Sequence, residues 1–146
     1  MVFMKRAVIV PTVMFAVLGA SGVAHADTRD LPRPSRAEAP ARFGTVQYSQ
    51  WYAQQAAAIR YGWGAKQFRA LKWVWYHESG WNFKAVNSSS GASGIPQALP
   101  ASKMRSHGSD YMTNPETQID WGLDYIKTRY GSPVKAKKFW LSHNWY

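Results

Sequence analysis

AKQFRALKWVWYHESG, residues 65–80, is the stretch on which the fold turns. Phe68, Leu71, Trp75 and Glu78 recur at spacings of three, four and three, which sets them along one face of an α-helix. Gly80 supplies the stop, so Glu78 stands in the last turn. Trp73, Trp75 and Tyr76 precede it and Trp81 follows, and Glu38 and Glu116 are the only other glutamates in the chain. What needs explaining is a carboxylic acid set among rings at the end of a helix.

Two effects act on its proton. The C-terminal end of a helix carries partial negative charge, which disfavours a carboxylate. Neighbouring indoles withhold water from it, which disfavours the charged form again. Both raise its proton affinity, and an acid still protonated near neutrality can give its proton to the leaving oxygen of a glycosidic bond. On spacing alone, a solvated helix-end residue or a partner for Lys72 or Lys84 is an equal alternative.

Outward from this helix the pattern stays helical. VQYSQWYAQQAAAIRYG is rich in Ala and Gln and runs into Gly62 and Gly64, predicting a helix over about 46–61. Residues 80–97 are rich in Gly, Asn and Ser and read as an irregular loop, with room for a short hairpin. A short helix is expected near 99–106. Thr113 and Glu116 match a capping box with Pro115 in the first turn. Ile119, Leu123, Ile126 and Tyr130 then mark an amphipathic helix ending before Gly131, with Asp120 and Asp124 on its solvated side. Ser132-Pro133 opens a last helix through about Ser142. No stretch alternates as a strand does, so the class is all-α or mostly α.

Residues 1–26 read as a signal peptide: Lys5 and Arg6, an apolar run from Ala7 to Leu18, then Ala24-His25-Ala26, which would leave Asp27 as the new N-terminus. The run is shorter than the roughly 20 apolar residues a bilayer span needs, so secretion is expected and stable membrane insertion is not. Residues 27–44, dense in Arg and Pro, read as a flexible arm, and 45–146 as one domain, expected to be a monomer. Eighteen basic residues against eight acidic ones give a net charge of +10, which favours polyanions. In a secreted chain that leaves anionic lipid or the acidic polymers of a cell wall, and nucleic acid is not an expected partner. Without cysteine there is no disulfide framework, thiol catalysis or thiolate metal site. His77, His107 and His143 lack zinc spacing, and no phosphate-binding glycine loop occurs, so neither metal nor cofactor is expected.

Three short runs then carry a resemblance. Glu78-Ser79-Gly80-Trp81-Asn82, Gly91-Ala92-Ser93-Gly94-Ile95-Pro96-Gln97-Ala98-Leu99-Pro100, and Asn114-Pro115-Glu116-Thr117-Gln118-Ile119-Asp120-Trp121-Gly122 continuing through Tyr125 and Ile126, resemble the successive signatures of soluble lytic transglycosylases of the SLT type. The resemblance spans about residues 47–146. It implies a lysozyme-like helical domain with an irregular loop or short hairpin after the catalytic helix. It also implies cleavage of the β-1,4 bond between N-acetylmuramic acid and N-acetylglucosamine in peptidoglycan, with Glu78 as the acid. Glu78 then acts as base on the C6 hydroxyl, closing a 1,6-anhydro end. The same resemblance puts Ser88 and Gln97 at polar contacts to the sugar and the acid, and Leu99 at a subsite wall. Pro96 stands where the family usually has Met and Phe83 where it has Pro. The late "AYN" motif is represented by Ser142-His143-Asn144, with His143 in the place of the tyrosine that helps hold the acid.

Eight Trp and eight Tyr suit a groove where rings stack on sugar faces. Tyr125 lies off the buried stripe of its helix, and Trp145 and Tyr146 are candidates for the opposite wall. Two other readings stand beside the lyase: a muramidase on the same fold that uses water, and a catalytically weak cationic module that binds peptidoglycan.

Overall fold

The computed structural model describes residues 32–146; the segment read as a signal peptide lies outside the described residues. Four α-helices carry the architecture: α1 (Val46–Tyr61), α2 (Ala65–Ser79), α3 (Pro115–Tyr130) and α4 (Pro133–His143). A 3-10 turn spans Arg36–Glu38 and a 3-10 stretch spans Ala101–His107. No strand occurs among the described residues. Loop 80–100 is pinned by two isolated bridges, Val86 with Ser93 and Ser93 with Ala98, in place of a hairpin.

The helix ends follow local chemistry. Thr45 caps α1 by accepting from the Tyr48 N–H, Asn114 caps α3 by accepting from the Glu116 N–H, and Ser132 caps α4 by accepting from the Lys135 N–H. Each cap satisfies a donor that has no partner within its own helix. Gly80 closes α2 at φ 61°, where its N–H reaches the Trp75 and Tyr76 carbonyls, a left-handed conformation that glycine adopts freely. The expected capping box differs in detail. Asn114, not Thr113, is the cap, and Glu116 turns inward to accept from the Tyr48 hydroxyl and from Arg36.

α2 packs on α4 and α1 on α3. The core joins Tyr48, Tyr52, Ala53, Ala56 and Ala57 of α1, Leu71, Val74 and Trp75 of α2, and Ile119, Leu123 and Ile126 of α3. Trp75 is fully buried, and enclosing such a ring stabilises the fold by about 2–3 kcal/mol. Gly122 makes the approach possible: a Cβ there would stand 2.7 Å from Trp75 Cζ2 and 3.0 Å from Pro96 Cβ.

One sequence expectation fails on this helix. Asp120 is not on a solvated face. It is 1% exposed, lies 2.8 Å from Arg60 Nη2 and 3.3 Å from Arg33 Nε, and accepts from the Tyr52 hydroxyl at 3.1 Å. Hydrophobic periodicity cannot see such a site, because a carboxylate enters a core only with cations and donors supplied by distant segments. Asp124 is likewise engaged, by the Tyr61 hydroxyl at 3.3 Å and by His107 at 3.6 Å. Arg33 and Arg36, from the segment read as an arm, are thus both seated on α3.

Candidate active site

Glu78 ends α2 because Gly80 stops the helix there, and the loop that follows is held against it by side chains. Ser79 Oγ donates to the Ile95 carbonyl at 2.8 Å. The buried Gln118 of α3 accepts from the Ile95 N–H at 2.9 Å and donates to the Phe83 and Tyr111 carbonyls at 3.0 and 2.8 Å. With all its polar atoms satisfied, Gln118 fastens loop 80–100 to α3, and the loop becomes a wall facing Glu78.

Between that wall and α4 runs an open groove of about 460 Å³. Glu78, Gln97, Leu99, Trp140, Asn144 and Tyr146 line it, and among the described residues Glu78 is the only acidic side chain that does. The Trp140 indole N–H donates to Glu78 Oε1 at 2.6 Å. Burial of the half-exposed acid raises its pKa above the ordinary carboxylate value; the Trp140 hydrogen bond and attraction to His77 act in the other direction. Burial prevails, because an indole is a neutral donor and relieves only part of the lost hydration. His77 is anchored through Nδ1, which donates to the Trp73 carbonyl at 2.8 Å.

Tyr146 seals the inner side. Its hydroxyl accepts from Trp75 Nε1 at 2.6 Å and donates to the Pro96 carbonyl at 3.1 Å. Burial and the negative charge of Glu78 push this phenol well above its usual pKa, which keeps it neutral. Gln97 adopts φ 52°, a costly conformation for a residue with a Cβ, and is held there by its own amide, which donates to Gly94 O at 3.0 Å and Ala85 O at 3.4 Å. Its amide oxygen remains as an acceptor for a hydroxyl. A smaller cavity of about 210 Å³ opens beyond Leu99, bounded by Trp121, Tyr125 and Lys103.

The residues expected at the site therefore separate. Glu78, Gln97, Leu99, Asn144 and Tyr146 meet in the groove. Tyr125, stacked on Trp121 at 5.2 Å, belongs to the smaller cavity. Ser88 is exposed in the loop, and its neighbours Asn87 and Ser90 line the groove instead. His143 is exposed, stacked on Phe139 at 3.9 Å with Nδ1 bonded to the Phe139 carbonyl at 2.9 Å, and is not among the groove residues. Where the motif led one to look for a tyrosine equivalent, Tyr146 and Trp140 stand beside the acid. Trp140 and His77 line the groove as well, and the sequence predicts neither of them there. No local signal marks Trp140, since its role depends on α4 packing against α2.

A mostly helical domain with one half-buried carboxylic acid in a ring-lined groove has the form of a lysozyme-like glycan-cleaving domain. A family model described as the transglycosylase SLT domain matches residues 55–144, more than half of the chain, and the chain belongs to that family. The family brings with it the lysozyme-like helical fold, peptidoglycan as substrate and cleavage of the lytic-transglycosylase type. No curated protein and no solved structure matches the chain. No helix among the described residues is long and apolar enough to cross a membrane.

Proposed function

We propose that the chain is an active, exported lytic transglycosylase that cuts the β-1,4 bond between N-acetylmuramic acid and N-acetylglucosamine and leaves 1,6-anhydro ends, with Glu78 as both acid and base. The observation that carries this reading is the solitary carboxyl group in the groove, its proton affinity raised by burial. Hydrolases of the two-carboxylate kind need a second acid across the bond to activate water or to attack the sugar. Asp110, Glu116, Asp120 and Asp124 are engaged elsewhere, on α3 and the turn before it.

The chemistry balances with one group. Protonated Glu78 gives its proton to the bridging oxygen as the C1–O bond breaks, and the acetamido oxygen of the same sugar shares the charge developing at C1. The resulting Glu78 carboxylate then takes the C6 hydroxyl proton while that oxygen bonds to C1. Glu78 ends protonated and no water is consumed. Trp140 supports the middle of this cycle, because its N–H stabilises the charged carboxylate. The neutral phenol of Tyr146 adds no competing negative charge. Export is supported by the signal-peptide pattern of residues 1–26.

Digestion of isolated cell walls followed by mass spectrometry of the released fragments tests the reading. Ends lighter than reducing ends by one water are expected. Reducing ends would instead establish the muramidase, and a chain that binds walls without releasing fragments would be the binding module.

A further inference from the structure

The outer face of α2 carries a feature that catalysis does not use. Arg69, Lys72, Trp73 and Tyr76 follow one another there at helical spacing. With Gln50 of α1 they bound a shallow, largely apolar depression of about 470 Å³. Tyr76 is 67% exposed, and Arg69 and Lys72 are exposed as well. Lys137 of α4 holds its ammonium 4.7 Å from the Trp73 ring centroid. The charge at this depression has one sign: Arg69 and Lys72 line it and Lys137 stands over Trp73, and the two helices that supply them, α2 and α4, carry Glu78 as their only acid. None of these cations is in an ion pair with a described carboxylate.

The exposed Tyr76 ring with cations beside it fits a sugar ring that bears an anionic substituent: the sugar face stacks on Tyr76 and the cations meet the carboxylate. No Leu, Ile or Val lines the depression, so it offers little to an acyl chain. A second copy of this chain would bring like charge against it. The depression also continues the groove, since the Trp73 ring lies 3.9 Å from that of His77 and 5.0 Å from that of Trp140, both groove residues.

We propose that this face of α2 is a second docking site for peptidoglycan, taking an uncleaved glycan strand whose peptide substituents bear carboxylates. The identity of the strand rests on the function proposed above; the site itself does not. A neighbouring strand held on Tyr76, Lys72 and Arg69 keeps the domain on an insoluble wall between cuts.

Binding of the full chain to insoluble peptidoglycan tests it, with Glu78→Gln used to keep the substrate whole. Adding Lys72→Gln and Tyr76→Ala to that chain is expected to weaken wall binding by about five- to tenfold, and the part due to Lys72 disappears in high salt. The same two changes in the otherwise unaltered chain leave turnover of short soluble glycan fragments unchanged. Arg69→Gln, made alone, shifts wall binding in the same direction by about twofold. Wall binding that ignores all three changes overturns the proposal. So does an equal loss on soluble fragments, or transfer of the dependence to a phosphodiester polymer or anionic vesicles. Binding that depends on Lys72 and Tyr76 in a chain that releases no fragments supports the docking site while removing the catalytic reading.

Discussion

α3 and the groove treat their acids in opposite ways. On α3, Glu116 meets Arg36 at 2.7 Å and Asp120 meets Arg60 at 2.8 Å, so each carboxylate enters the protein with a cation. Asp110, in the turn before α3, accepts from Asn114 and Thr117, and its pKa is lowered accordingly, chiefly by the Asn114 bond. Glu78 is partly removed from water, yet its close partner is the neutral indole of Trp140. A paired acid is tied to its cation and serves the fold. An acid given only a neutral donor can exist in both forms, which proton transfer demands.

The largest expected effect breaks the groove side of this contrast. Glu78→Gln keeps an oxygen for the Trp140 bond and removes the exchangeable proton, so release of fragments from cell walls falls by about 10²–10⁴-fold. Its stability moves the other way. Burial makes the folded state hold the Glu78 proton more tightly than the unfolded chain does, so wild type loses stability as pH rises from about 4.5 through the folded-state value. Thermal melts should show Glu78→Gln more stable than wild type at neutral pH, with the difference closing in acid. A variant less stable than wild type at neutral pH would mean that Glu78 is a structural acid of the α3 kind.

Asp120→Ala breaks the other side. It strands Arg60, whose side chain is 1% exposed, and removing one partner of a buried pair costs about 3–5 kcal/mol. Denaturant unfolding measures that loss, and any activity that survives in the folded fraction should keep the wild-type pH profile. Gly122→Ala acts at the joint between the two regions. A Cβ there meets Trp75 Cζ2 at 2.7 Å, and since no flexible side-chain end can yield, a loss of about 1–3 kcal/mol is expected in the same measurement. Trp75 also holds the Tyr146 hydroxyl, so this variant should lose turnover even at temperatures where it stays folded. Full turnover would separate Tyr146 from the acid's environment.

The same contrast marks how far the sequence could be read. Helix periods, Gly80 and Gly131 place the helices and put Glu78 at the end of α2, because these are local properties of ten to twenty residues. Hydrophobic periodicity misplaces Asp120, since the cations that admit it come from Arg33 and Arg60, far away in the chain. Composition likewise marks 27–44 as an arm without revealing that Arg33 and Arg36 seat on buried acids. At the groove, the motif around Gln97 identifies a wall residue, but its left-handed backbone and its bonds to Gly94 and Ala85 exist only in the folded loop. His143 follows the motif's register and still faces outward, stacked on Phe139. Tyr146 reaches the acid's neighbourhood instead, because Asn144 at φ 59° ends α4 and the last residues leave its axis.

The smallest change sharpens the comparison most. Trp140→Phe retains a ring against Trp73 and His77 and deletes only the N–H that faces Glu78. That N–H favours the charged carboxylate and so opposes burial; without it the pKa of Glu78 rises further. A group that must be protonated to act loses activity as pH climbs through its pKa, so the alkaline limb of kcat/KM should move to higher pH in the variant. The second half of the cycle, which needs the carboxylate in place to take the C6 proton, loses its anchor, and kcat at the optimum should fall by about tenfold. Both changes together distinguish a donor that tunes the acid from a ring that merely packs. If kcat falls and the limb stays where it was, Trp140 acts through position alone, and burial by the surrounding rings is by itself what keeps Glu78 apart from the paired carboxylates of α3.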